Sequence, residues 1–531
     1  VLDLLIANGI VIDGGGGPGV RADVGVERDR IVAVGALPNA TARRVVDATG
    51  LAVAPGFIDL HTHSDIPLLI DGRGMSKIRQ GVTTEVTGNC GYTPYPVAPA
   101  RARLLRDLIS SYGDRVELTW TDLAGYRAAL AGRIGLNVAP LVGHSAIRGA
   151  AVGFEDRPAT PDELRAMQRL TAEAMEQGAF GLSTGLTLPP SAYGDTDEVV
   201  ALASAMVRYP GRFYTTHIRG WAGRHITAVA EAVEIGRRAG VPVNVSHMAV
   251  SDPQHWGEAD QVIAVCERGV AEGLDVTFDV YPYAASSSGF SQCLPTWAQS
   301  GGRVALAARL RAPDTRARIR ADMLAEGLFR GWPWLWDRLL VCGVSNAALR
   351  RYEGMTIQQV ADAMGIEPID AALTLMDLDE AYVRIIFFYR TEEDMRAFLR
   401  HPMAMVGSDG STLAREGVLG EGKPHPRSYG AHARILGRYA RDERVLTLEQ
   451  AVYKMTGQVA DRLGLGDRGR LRVGQAADIV VFDPATVRDL ATFEDPHQYP
   501  DGIPHVVVNG QLTIDAGRHT GAQAGRVLAP R

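Results

Sequence analysis

The sequence predicts a (β/α)8 barrel with a small β-sandwich domain built from both chain ends and an insertion between barrel strands seven and eight. Three observations predict it. Eight short apolar runs, each ending in polar residues, alternate with helical segments over residues 53–464. The two ends, 1–52 and 465–531, share a strand-and-turn pattern of their own. The stretch at about 284–400 is too long for one strand-to-helix connection.

At the N-terminal end, LLIANGIVIDG, ADVGVERDRIVAVG and ARRVVDATG alternate apolar and polar residues between Gly and Asp turns, the signal of half-buried strands. GRLRVGQAADIVVFDP and HVVVNGQLTIDAG repeat that character at the C-terminal end, and chain ends commonly meet in space. The barrel runs are VAPGFIDLHTH, GVTTEVTGNC, GLNVAPLVGH, AFGLSTG, RFYTTHI, VPVNVSHM, LDVTFDVYPY and MAMVGSD. Continuous apolar runs are expected of parallel strands covered on both faces. Between them, Thr160, Pro161, Asp162 and Glu163 open a helix that Gly178 closes, and a second helix ends at Gly240 after two arginines. The insertion contains SSSGFSQCLPTWAQSGG, the cluster GWPWLWDRLL and a helix around TIQQVADAMG; it is expected to cover an active site, with its tryptophans as packing core.

The bulk composition narrows the partner. With 46% apolar residues and a net charge of −6, the chain has material for a large core and no basic footprint for nucleic acid or an anionic membrane. No apolar run reaches the roughly eighteen residues of a membrane span. The four cysteines, Cys90, Cys266, Cys293 and Cys342, are widely spaced and form no CxxC pair. Asp3 stands where a secretory leader carries positive charge, so the first segment reads as a strand and the expected compartment is the cytoplasm. A small molecule is the expected partner; homo-oligomerisation stays open, since no repeat or coiled-coil signal decides it.

The residues ending the runs carry the chemistry. Run one ends with His61 and His63, run two with Cys90, run five with His217, run six with His247 and run eight with Asp409. Residues two apart on a strand face the same side, which turns His61 and His63 together into the barrel mouth. Barrel enzymes place their chemistry at the C-terminal strand ends. One such residue alone reads as a core histidine or a turn carboxylate, whereas six at one end read as a metal site. Nitrogen, thiolate and carboxylate donors together favour zinc, and the set allows two ions with a bridging ligand.

APGFIDLHTHSD, GNCG, TTHIRG, VSHM and VGSDGS resemble the amidohydrolase superfamily and, within it, the N-acyl-D-amino-acid deacylases. The resemblance covers nearly the whole chain, including FGLSTGLTLPP, DVYPYAASS, GKPHPRSYG, VYKMTGQVADRLGL and DRGRLRVGQAADIVVFDP. It implies a zinc-dependent hydrolase of linear N-acyl amides. Many superfamily members bridge two metals with a carboxylated lysine at the end of strand four; here that strand reads AFGLSTG, and Lys77, Lys423 and Lys454 stand at no predicted strand end. The resemblance implies a cysteine bridge instead. Cys90, His217 and His247 would hold one zinc tightly, and His61, His63 and Asp409 would form a weaker second site sharing Cys90. It further implies attack on the amide by hydroxide from a zinc-bound water of lowered pKa, with Asp409 as general base and then acid. Two alternatives remain: a cyclic-amide hydrolase of the hydantoinase kind, against which the missing lysine counts, and a metal-free binding barrel, against which the six filled positions count.

For substrate contacts the candidates are His144 at the end of run three, Tyr193, Tyr281, Tyr283 and Ser287 in loops near the expected pocket, and the cations Arg219, Arg415 and Arg427. Each histidine, tyrosine or serine here serves equally as a structural residue. A free α-carboxylate, once desolvated, needs a strong partner. The resemblance implies a lysine two residues after His247, yet Ala249 stands there, and the segment after YPY supplies Trp297 and no positive charge. Either another residue, such as Arg219, Arg415 or Arg427, takes the carboxylate, or the substrate is an amide without one, such as a specialised metabolite.

Overall fold

Each of the eight runs forms a strand: Phe57–Asp59, Val82–Thr87, Asn137–Pro140 continuing as Val142–Gly143, Gly181–Gly185, Phe213–His217, Val243–Val245, Val276–Val280 and Ala404–Val406. The structure is a computed structural model that describes residues 1–530 apart from 110, 111, 113, 114, 221 and 222. Neighbouring strands pair in parallel from the first to the eighth. The ring closes at the strand ends, where the Asp409 N–H donates to His61 O at 2.8 Å and the His63 N–H to Gly410 O at 2.9 Å. Closure needs a small residue: a Cβ at Gly407 would stand 2.6 Å from that of His61. The barrel is therefore sewn shut by the residues that carry its candidate donors.

Helices cover the outside as the caps dictate. Thr160 closes a capping box with Glu163 at the start of Pro161–Glu176, and His225–Ala239 stops at Gly240 with φ of 70°. Their apolar faces meet the strands in one large core that includes Leu182, Tyr214, Val243 and Phe278.

The two chain ends share one sheet of nine strands. Ala52–Pro55 pairs in parallel with Leu2–Val11 and antiparallel with Ile479–Phe482, which joins the ends directly. This β-sandwich domain has its own core of Leu4, Ile6, Val24, Ile31, Val53, Ile479 and Val507. Two boundaries differ from those read in the sequence. The terminal sheet continues through Pro55, because only Gly56, whose Cβ would strike Thr83 at 2.2 Å, separates it from the first barrel strand. At the other end Val527 leaves the small domain and bridges Val138 of the barrel.

Between strands seven and eight the chain builds a three-stranded antiparallel sheet, Ser286–Gly289, Leu339–Gly343 and Arg384–Phe387, with helices around a separate core. Helix Glu392–Arg400 lies within the expected insertion range, yet Met395, Phe398 and Leu399 pack into the barrel core. Trp334 and Trp336 stack at 4.4 Å against the insertion core, as expected, whereas Trp332 also lines a cavity.

Candidate metal centre

Six strand-end donors converge. His61, His63, Cys90 and Asp409 form one group, and Cys90, His217 and His247 a second, the ligand atoms of each lying within 4.8 Å of one another. Cys90 belongs to both. Its Sγ stands 3.3 Å from His61 Nε2 and 3.5 Å from His247 Nε2, while His217 Nδ1 is 3.1 Å from His247 Nε2 and His63 Nε2 is 3.0 Å from Asp409 Oδ1.

Local structure explains how a cysteine reaches this place. The turn Asn89–Gly91 leaves the second strand with Cys90 at φ of 52°. Ser183 of the fourth strand accepts from the Gly91 N–H at 3.0 Å and fastens the turn. Asn89 Nδ2 donates to Val86 O at 3.0 Å. The turn lies directly over the end of strand four, where a Cβ at Gly185 would meet Cys90 O at 2.4 Å. Any side chain at Gly185 would collide with the Cys90 turn.

Two further residues set the imidazoles. Asp279, buried in the seventh strand, lies 3.2 Å from His61 Nδ1 and accepts from the His247 N–H at 2.8 Å and from Asn244 Nδ2 at 2.7 Å. Thr187 Oγ1 lies 2.6 Å from His217 Nε2, leaving Nδ1 to face the donors. Asp279 stands inside an apolar parallel-strand run, and a carboxylate buried there must be paired; that signal is present in DVYPY.

The electrostatics fit a cation site. Burial pushes the Cys90 thiol up, but the positive fields of His61 and His247 outweigh it and hold it well below the ordinary thiol range. Burial pulls His61 down, yet Asp279 and Cys90 lift it well above an ordinary histidine, and His63 rises to about 9 chiefly because hydrogen bonds to Asp409 and Cys90 outweigh burial. Burial raises Asp409, but Arg427 and His247 outweigh it and keep the carboxyl well below its usual range. Thiolate and carboxylate are thus available, balanced by protons on nitrogen that a divalent cation would displace. This donor set suits zinc.

Above the donors opens a cavity of about 540 Å³, lined by His63, Cys90, His217, His247 and Asp409 and walled on the insertion side by Phe329, Trp332 and Gly343. Tyr281, Ser287 and Arg427 also face it. Arg427 donates to Asp409 Oδ2 at 2.7 Å and to Ser287 O at 3.3 Å.

The structure places the other candidate contacts elsewhere. His144 begins helix His144–Ala151, with Nε2 2.8 Å from Glu198 and Nδ1 2.8 Å from Ser191, so both ring nitrogens are engaged. Tyr193 donates to Thr296 O at 3.0 Å and ties the insertion to the barrel. Arg219 pairs with Glu231 at 3.2 Å and donates to Gly194 O at 2.8 Å. Tyr283 packs under Arg434 and beside His425. Arg415 reaches out to His497 O and Gln498 on the surface. None of these five lines the cavity.

Residues 44–514 match the amidohydrolase family. A D-aminoacylase from Alcaligenes xylosoxydans xylosoxydans is 38% identical over 532 residues, covering 99% of this chain and 97% of its own. An N-acyl-D-glutamate deacylase from Bordetella bronchiseptica, solved with zinc and a phosphonate mimic of the tetrahedral intermediate, superposes with a TM-score of 0.84 at 34% identity over 99% of each chain. A solved D-aminoacylase, described as having a binuclear metal centre with one-metal activation and second-metal attenuation, gives 0.83 at 35% identity over 100% of each chain.

Proposed function

The chain belongs to the amidohydrolase family, and on that premise we propose that it is a zinc-dependent deacylase of N-acyl-D-amino acids. One observation carries the reading: two donor groups sharing Cys90 at the floor of a cavity, in a chain similar over its full length to proteins with that activity.

Cys90, His217 and His247 would hold one zinc, and His61, His63 and Asp409 would complete a second site through the same thiolate. When bound, zinc supplies Lewis acidity, which polarises an amide carbonyl and makes water acidic near neutral pH. The protein's own groups do the rest. Asp409 Oδ2 is held by Arg427 and Oδ1 faces His63 at 3.0 Å, and the carboxylate so fixed would take a proton from water and return it to the leaving nitrogen. The seventh-strand Asp279 and Thr187 keep His61 and His217 in the tautomers that face the donors. The insertion wall, with Phe329 and Trp332, limits water around the substrate.

A second reading follows from Ala249: the substrate is an amide without a free carboxylate. One panel separates the two. Purified protein of measured zinc content is assayed on N-acetyl-D-amino acids, their L enantiomers and the α-amides of both. The proposal expects bound zinc and deacylation of the D acids. A zinc-loaded protein that cleaves none of the D acids would refute it, and preference for the α-amides would establish the second reading.

A further inference from the structure

Two guanidiniums flank the buried Tyr281 ring, Arg427 at 4.9 Å and Arg390 at 4.7 Å from its centroid, and both line the cavity. Their partners differ. Arg427 is answered by the Asp409 carboxylate. Arg390 Nε donates to the Ser251 hydroxyl at 3.3 Å, and among the described residues no carboxylate forms an ion pair with it. Its two terminal nitrogens are left for something else. Beside it the Tyr281 hydroxyl is buried and has no hydrogen-bond partner among the described residues. The loop after the sixth strand, which lines the same side, offers Met248, Ala249, Ser251 and Asp252, the last accepting from the Gly223 and Gln254 N–H groups, and no lysine or arginine.

A cation held in a partly desolvated cavity without a counter-charge is costly, and the planar fork of arginine matches a carboxylate bidentately. We propose that Arg390 receives the free carboxylate of the substrate through its terminal nitrogens, with the Tyr281 hydroxyl as a further donor. This rests on the deacylase reading and names the group that would make the site specific for acids over amides. Arg390 lies between insertion strand Arg384–Phe387 and barrel helix Glu392–Arg400. The insertion therefore does more than wall the cavity: its return segment delivers the recognising charge.

The test compares Arg390→Met and Arg390→Lys with the wild type, each zinc-loaded, on an N-acetyl-D-amino acid and on its α-amide. Turnover and direct calorimetric binding are both measured. Loss of one partner of a desolvated charge pair predicts a fall of about 100-fold in kcat/KM and in affinity for the acid in Arg390→Met. The loss should appear mainly as a higher KM, the amide should change by less than about threefold, and Arg390→Lys should recover part of the loss. Ala249→Lys in the Arg390→Met background, which returns a cation to the same side of the cavity, should restore acid preference. Equal losses on acid and amide, or none on either, would overturn the assignment. So would a wild type that binds acid and amide alike, whatever its turnover. A wild type that prefers to bind the acid yet hydrolyses neither would instead overturn the deacylase reading and leave the assignment of Arg390 standing.

Discussion

Asp279→Asn tests whether the carboxylate beneath the donors organises them. In the native protein Asp279 faces His61 Nδ1 at 3.2 Å, the His247 N–H at 2.8 Å and Asn244 Nδ2 at 2.7 Å. All three are nitrogens that a carboxylate can accept from at once. An amide of the same shape keeps one acceptor oxygen and turns an N–H2 toward the remaining nitrogen. Either His61 must adopt the other tautomer, which points a proton at the Cys90 side, or Asn244 loses its acceptor. Partners that orient metal-ligating histidines typically contribute 10- to 100-fold in metal affinity, about 1.4 to 2.7 kcal/mol. The expected outcome is a zinc dissociation constant raised by about that factor, read by competition with a chromophoric chelator. Metal-free protein should lose no more than about 1–3 kcal/mol of stability, the cost of one unsatisfied buried group. Turnover should fall further, because the position of His247 moves with its backbone hydrogen bond. A variant with native zinc affinity and native turnover would refute the reasoning and reduce Asp279 to a packing residue.

Three other outcomes follow from the same structure. Cys90→Ala removes the donor common to both groups, so purified protein should retain no stoichiometric zinc by elemental analysis while its circular dichroism stays native. Asp409→Asn should retain zinc on Cys90, His217 and His247 and lose about 10²- to 10⁴-fold in kcat, the range for a lost general base; retained turnover counts against that role. His432 is buried, both ring nitrogens lack hydrogen-bond partners among the described residues, and burial lowers it from 6.5 to about 4. The unfolded chain then takes up a proton that the folded one refuses, so its contribution is intact above about pH 6.5 and is lost as pH falls toward 4; linkage gives a loss of about 2 kcal/mol at pH 5. His432→Phe, which keeps the stack on Phe57, should flatten acid denaturation monitored by urea melts between pH 7 and 5, and an unchanged pH slope would sink that account.

Strand order and the convergence of the candidate donors are legible because parallel strands covered on both faces are mainly apolar and change character at their ends. The end of VTTEVTGNC is informative for that reason alone. The same rule misplaced His144, since strand three stops at Gly143 and His144 starts a helix that swings its ring to Glu198. Sequence shows that a run ends but not which way the next residue turns. Arg219 and Arg415 stand near motifs in the sequence, yet Glu231 of the following helix and the segment around His497 hold them away from the cavity. Arg390 and Thr187 carry no sequence signal for the converse reason. Each stands in an unremarkable stretch and gains its meaning from a partner that only the closed barrel supplies.

Three of the six donors share a backbone feature that ties fold to chemistry. Cys90, His247 and Asp409 have φ of 52°, 36° and 51°, in the left-handed region that side-chain-bearing residues avoid. Such conformations cost of order 1–3 kcal/mol each and persist where surrounding bonds over-determine them. Here those bonds are visible: Ser183 holds the Cys90 turn, Asp279 holds the His247 N–H, and His61 O holds the Asp409 N–H. A strand that ran straight would carry its last side chain outward along the barrel axis. The left-handed step folds that side chain back over the mouth, so that donors from different strands meet at one thiolate. Strain and a glycine at the end of strand four are then one solution: the turn that brings Cys90 to the centre takes up the space a side chain at Gly185 would need.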